Sequence, residues 1–118
     1  MHIQQLINEW FHKWETGDYT NLPITEDFIH ESPFGEISGK KTYLALVQSN
    51  EDKFLGYTFS IIDAITCGEK ACVRYVAKQD DFELNVSEWY YAKNDKIQKI
   101  VAYYHIGDIQ TSRQLTGG

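Results

Sequence analysis

Six large apolar side chains near the N-terminus constrain this chain more than any other feature. Ile3, Leu6, Ile7, Trp10, Phe11 and Trp14 recur at spacings of three and four, so a helix gathers all of them on one stripe. His2, Gln5, Glu9, His12 and Lys13 fill the other side. A stripe of this size needs an apolar surface to pack on, because helices this short owe their stability to such packing. Gly17 supplies a left-handed C-terminal cap that ends the helix near Thr16. Asp18 is placed to cap a short second turn, which Pro23 keeps from extending.

The rest of the chain supplies that surface as strands. Phe28 to Ser32 reads as a short strand broken by Pro33 and Gly35. Ser38 then caps a helix over Lys40–Gln48 with Tyr43, Leu46 and Val47 inward. A long strand follows over Phe54–Thr66. Turns at Gly68-Glu69-Lys70, Asp80-Asp81 and Asn94-Asp95-Lys96 lead into Ala71–Lys78, Phe82–Ala92 and Ile97–Ile106. Strands joined by such short turns form an antiparallel meander. Helices first and a curved meander after them predict an α+β domain over residues 1–108, with a polar tail at 109–118. Alternation puts Leu84, Val86, Glu88 and Tyr90 on one face of their strand. In the last strand Ile100, Ala102, Tyr104 and Ile106 share a face, opposite Val101, Tyr103 and His105. Neither face is cleanly polar, so one packs on helices and the other predicts a partner contact, by default a homodimer.

Length and composition remove several function classes. At 118 residues the chain makes one domain. Its 3 Trp, 8 Tyr and 6 Phe argue against disorder. A net charge of −6 argues against nucleic-acid binding, which needs a basic stripe, and against docking on anionic lipid. No apolar run approaches a membrane span, and Met1 to Asn8 has no signal-like character, which predicts a cytoplasmic location. Cys67 and Cys72 match no zinc or redox spacing and read as reduced thiols flanking a hairpin turn. Metal-ligand clusters, phosphate-binding Gly-rich loops and the Gly-x-Ser-x-Gly elbow are all absent. The reading is a domain with no metal and no cofactor. Gly117-Gly118 resembles a conjugation tail, but the architecture is not that of a ubiquitin-like domain.

The order of elements carries a set of local motifs. Trp14-Glu15-Thr16-Gly17-Asp18 closes helix one, and Phe28-Ile29-His30-Glu31-Ser32-Pro33-Phe34-Gly35 precedes Ser38-Gly39-Lys40. Glu88-Trp89-Tyr90-Tyr91, Asn94-Asp95-Lys96-Ile97 and Ala102-Tyr103-Tyr104 follow. From about Ile3 to Asp108 this set resembles the nuclear transport factor 2-like superfamily, in its SnoaL-like and ketosteroid-isomerase-like branch. The resemblance implies a cystatin-like cone, in which a bent sheet wraps the long first helix, two shorter helices accompany it, and an apolar pocket opens at one end. It also implies dimerisation through the outer sheet face. The family spans isomerases, dehydratases, cyclases, epoxide hydrolases and non-catalytic modules, so fold alone does not give function. Where ketosteroid isomerases carry a general-base aspartate before the proline ending the first strand, this chain has Ser32. Their acid on the fourth strand aligns with Glu88, and their helix-one tyrosine falls near Trp10. Steroid isomerase activity is therefore not expected.

By alternation Phe28, His30 and Ser32 face one way, and the resemblance makes that way inward. A His30–Glu88 pair in an apolar cup is the minimum equipment for general acid–base catalysis, His30 as base and Glu88 as acid or orienting partner. Trp10, Trp14, Phe28, Ser32, Tyr57, Phe59, Tyr90 and Tyr104 are the candidate substrate-binding residues, the tyrosines as phenolic donors. Equally, His30 and Glu88 can bond each other or the backbone as structural groups buried where the sheet bends. Asp63 reads as a second inward carboxylate unless a bulge reverses its strand. Two functions follow: a binder of a small apolar molecule that catalyses isomerisation, dehydration or cyclisation, or a non-catalytic dimeric ligand-binding or protein-interaction module.

Overall fold

The computed structural model describes residues 2–105 and Gly107; the expected tail at 109–118 and Ile106 lie outside these. Helix α1 spans Ile3–Thr16, and all six residues of its apolar stripe are buried. His2 caps it in a reciprocal box with Gln5, and Gly17 closes it in the left-handed conformation at φ 77°. A single 3-10 turn at Tyr19–Asn21 follows. Asp18 precedes it but makes no backbone cap, because its carboxylate is taken by Lys13 and Asn21 instead.

Strand β1 (Ile24–Ser32) begins directly after Pro23 and is longer than the expected Phe28–Ser32. It turns back at Pro33-Phe34 into β2 (Gly35–Ser38), a strand the sequence pattern concealed behind its proline and glycine. Ser38 therefore ends a strand and does not cap α2 (Lys40–Ser49). The capping position is Gly39 at φ 95°, whose N–H donates to the Phe28 carbonyl. The expected long strand from Phe54 is also divided. Glu51–Phe54 forms a single helical turn, α3; Gly56 at φ 84° breaks the path; and β3 runs Thr58–Cys67. Glu51 accepts a hydrogen bond from the Tyr19 hydroxyl at 2.8 Å. Strands β4 (Lys70–Gln79), β5 (Phe82–Lys93) and β6 (Lys96–Tyr103) complete the meander, the last ending before Ile106.

The six strands form one sheet in the order β2-β1-β6-β5-β4-β3. It is mixed, since β1 pairs parallel with β6, while β3 to β6 form the expected antiparallel meander. A helix-containing connection returns the chain from β1 to the far edge of the sheet, which is what a parallel neighbour requires. The architecture is α+β, with α1 held in the concavity of the sheet. Phe11 locks it there, its ring 4.9 Å from Tyr75 on β4 and 5.2 Å from Phe59 on β3. Trp14 packs between Tyr19 and Phe54, which anchors the 3-10 turn and α3 to the same helix. Burying each such large side chain contributes about 1.5–3 kcal/mol.

The outer sheet face is less polar than a solvated face needs to be. Pairing register aligns Ile65, Cys72, Trp89 and Val101 in a row across four strands, with Tyr103 in the next row. Ile65 is 71% exposed and Tyr103 59% exposed. Cys67 and Cys72 are free thiols on either side of the β3–β4 turn. Among the described residues no helix is long and apolar enough to cross a membrane.

Candidate functional site

Inside the cone the sheet and helices leave a cavity of about 400 Å³. Strands β1, β4 and β5 contribute alternate residues to it, which is the period-two geometry of the pleat. Leu84, Val86 and Glu88 project from β5, Tyr75 and Ala77 from β4, and Ala102 and then Tyr104 from the end of β6. Helix α1 presents the neighbours Trp10 and Phe11 and, one turn on, Trp14. His30 and Ser32 come from β1, while Tyr43 from α2 and Phe54 from α3 close the far wall.

Eight of the residues singled out in the sequence line this cavity: Trp10, Trp14, His30, Ser32, Tyr57, Phe59, Glu88 and Tyr104. Phe28 and Tyr90 do not. Phe28 is fully buried behind the wall, its ring 5.0 Å from Tyr43 and 6.2 Å from Trp10. Tyr90 is likewise fully buried and reaches the site only through its hydroxyl. Asp63 lies outside altogether. The register of β3 slips between Ile61 and Asp63, and the resulting bulge turns Asp63 to the outer face, 2.7 Å from Arg74.

Glu88 is the polar centre of the cavity. It is 4% exposed, and both of its oxygens accept hydrogen bonds from phenols. The Tyr75 hydroxyl donates to Oε2 at 3.1 Å, and the Tyr90 hydroxyl donates to Oε1. Register explains the pair: Val73 stands opposite Glu88, so Tyr75 is its diagonal neighbour two residues along, and Tyr90 follows Glu88 on the same face. Burial pushes the Glu88 carboxyl up from 4.5 to about 7, with the two phenol donors pulling the other way. Its partners are thus tyrosines; the expected alternative in which it bonds His30 is not what Glu88 does.

His30 stacks on the Tyr43 ring at 5.4 Å and, among the described residues, makes no side-chain hydrogen bond. Burial alone brings it down from 6.5 to about 4, so the imidazole is neutral at pH 7. Tyr43, Tyr75 and Tyr90 are all raised by burial and by the nearby Glu88 charge, which keeps them phenolic. Tyr104 is raised by burial too, with the Ser32 hydroxyl working the other way. Ser32 also accepts the Phe34 N–H at 3.2 Å, which holds the β1–β2 turn.

Tyr75 is the site residue that sequence reasoning missed. Its signal was present, because Ala71, Val73, Tyr75 and Ala77 alternate with more polar residues along β4. Among the described residues no cluster of His, Cys, Asp and Glu is placed to hold a metal ion.

A long helix held in a bent mixed sheet is an arrangement this chain shares with NTF2-like proteins of known structure. Solved structures agree. An NTF2-like protein of unknown function from Cytophaga hutchinsonii superposes with a TM-score of 0.77 at 16% identity, covering 91% of this chain and 93% of its own. A candidate ketosteroid isomerase from Kribbella flavida gives 0.74 at 16% identity, covering 86% and 76%. An LEH-like epoxide hydrolase from M. tuberculosis gives 0.73 at 13% identity, covering 88% and 83%. At these identities the likeness shows the fold. The SnoaL-like domain family matches residues 7–102 by sequence, and the chain belongs to that family. No curated protein matches the sequence significantly.

Proposed function

We propose that the cavity binds a small, mostly apolar molecule and that Glu88 and His30 perform proton-transfer chemistry on it without a cofactor, as in isomerisation, dehydration or cyclisation. The observation that carries this reading is the pairing of an aromatic-walled cavity of about 400 Å³ with a buried carboxyl at about 7. A volume of that size is within the range of small-molecule sites. A group whose proton affinity matches the working pH exchanges protons most efficiently, and such a group contributes about 10²–10⁴-fold in rate. Glu88 is the better matched of the two polar groups. His30, held neutral, serves as hydrogen-bonding partner, and takes up a proton where negative charge develops on the substrate. The epoxide hydrolase and candidate ketosteroid isomerase among the structural neighbours support chemistry of this class on this fold.

One observation favours a second reading, a non-catalytic binding module: Tyr75 and Tyr90 already satisfy both oxygens of Glu88. Under either reading the apolar row on the outer face supports a homodimer. Native mass spectrometry of freshly purified protein separates ligand binding from its absence. A copurified molecule lost in Trp10→Leu supports the cavity as the binding site and supplies a compound to assay for turnover. An empty protein that also ignores a library of steroids, polyketides and terpenoids contradicts ligand binding.

A further inference from the structure

Glu88 is a buried carboxyl on which, among the described residues, no cation acts. When ionised it accepts from both phenols, and a cation bound beside it would favour that form over the neutral acid that burial favours. Buried charges are ordinarily paired with an opposite charge. Here, among the described residues, the groups acting on Glu88 are the phenols of Tyr75 and Tyr90, and neither a lysine nor an arginine is among them. Lys53, on α3, is the cationic side chain that lines the cavity, and its charge is not one that acts on Glu88. Rings make up much of the wall of the cavity that holds the carboxyl. Trp10, Trp14, Tyr43, Tyr57 and Phe59 all line the same space. The Trp10 and Trp14 rings meet edge to face at 5.6 Å.

A buried acid on which no described cation acts, in a cavity lined largely by aromatic rings, is complementary to a cationic ligand. The negative π-faces attract a cation, and the attraction is greatest where water is excluded. The net charge of −6 draws cations toward the protein at longer range. We infer that the cavity takes a lipophilic organic cation, an amine or quaternary ammonium on an apolar body, with its charged head between Glu88 and the aromatic wall. The inference rests on the cavity being a ligand site and adds the chemical class of the ligand, assigning Glu88 the orienting role toward it.

The test compares benzyltrimethylammonium with its uncharged isostere 2,2-dimethylpropylbenzene, each titrated into the wild-type protein while the indole N–H signals of Trp10 and Trp14 are followed by NMR. The cation is expected to bind at least about ten-fold more tightly than the isostere, despite the greater hydrophobicity of the isostere. In Glu88→Gln that preference is expected to vanish while the isostere keeps its affinity. Equal or tighter binding of the isostere to wild type overturns the inference and leaves the cavity as a site for neutral ligands. A preference that survives in Glu88→Gln overturns it as well. If neither probe moves the two indole signals, the ligand-site reading fails and this inference falls with it. The wild-type comparison alone decides the matter should Glu88→Gln not fold.

Discussion

Glu88 and His30 occupy one apolar cavity, and burial drives both toward their neutral forms. The consequences for stability have opposite signs. Between about 4.5 and about 7 the folded protein holds a proton on Glu88 that the unfolded chain has released, so this group lowers stability as pH rises. Between about 4 and 6.5 the unfolded chain holds a proton on His30 that the folded protein has shed, so stability from this group rises with pH and is lost as pH falls. Across the shared window the two slopes offset each other. Glu88→Gln removes the falling slope and leaves the rising one. Urea denaturation at a series of pH values is expected to show the variant gaining stability relative to wild type from pH 4.5 to 6.5, by up to about 1.4 kcal/mol per pH unit. Parallel curves for the two proteins would mean that Glu88 is not desolvated. At this scale the sequence was partly legible. Period two and the resemblance together aimed His30, Ser32 and Glu88 inward. They did not reveal that Phe28 and Tyr90, on the same faces, sit too deep to touch the cavity, since depth is a property of the layer above and not of parity.

At the scale of elements, local chemistry spoke clearly where it acted alone. Helix α1 was readable to its last residue because its apolar spacing and Gly17 are both local signals. Gly17 has open space around an added Cβ, so Gly17→Ala tests the left-handed backbone by itself. The substitution is expected to cost about 1 kcal/mol and lower the melting temperature, measured by circular dichroism. An unchanged melting temperature would mean that the cap adjusts without strain. The stretch from Glu51 to Gly56 was not readable in the same way. Phe54 belongs by propensity to a strand, yet it is held in a helical turn by stacking on Trp14, a residue forty positions away in sequence. Strand β2 was hidden for the converse reason, since Pro33 and Gly35 are strand breakers when met in a row and ordinary turn residues once Ser38 pairs with Ile29. The bulge in β3 reversed Asp63, and nothing local to that strand announces it.

The whole molecule presents two apolar surfaces, one concave around Glu88 and one on the outside of the sheet. The outer row of Ile65, Cys72, Trp89 and Val101 crosses four strands, with the Asp63–Arg74 ion pair beside it. Under the proposed homodimer this patch is the association surface. Placing a charge at its centre with Trp89→Glu is expected to convert a dimer to a monomer in light scattering coupled to gel filtration, with circular dichroism unchanged. A wild-type protein that is already monomeric would contradict the association. The mixed sheet was legible as a meander only, because the parallel pairing of β1 with β6 joins the two most separated strands of the pattern. The inner surface carries the functional claim, and that claim reduces to the state of one carboxyl. The most direct measurement is a ¹³C NMR titration of the Glu88 side-chain carboxyl in wild type and in Tyr75→Phe. A midpoint near 7 is expected for wild type, moved about one unit higher when the Tyr75 donor is removed. A midpoint near the ordinary 4.5 in both proteins would mean a wet, solvated acid, and would contradict the account of an apolar cavity poised for proton exchange.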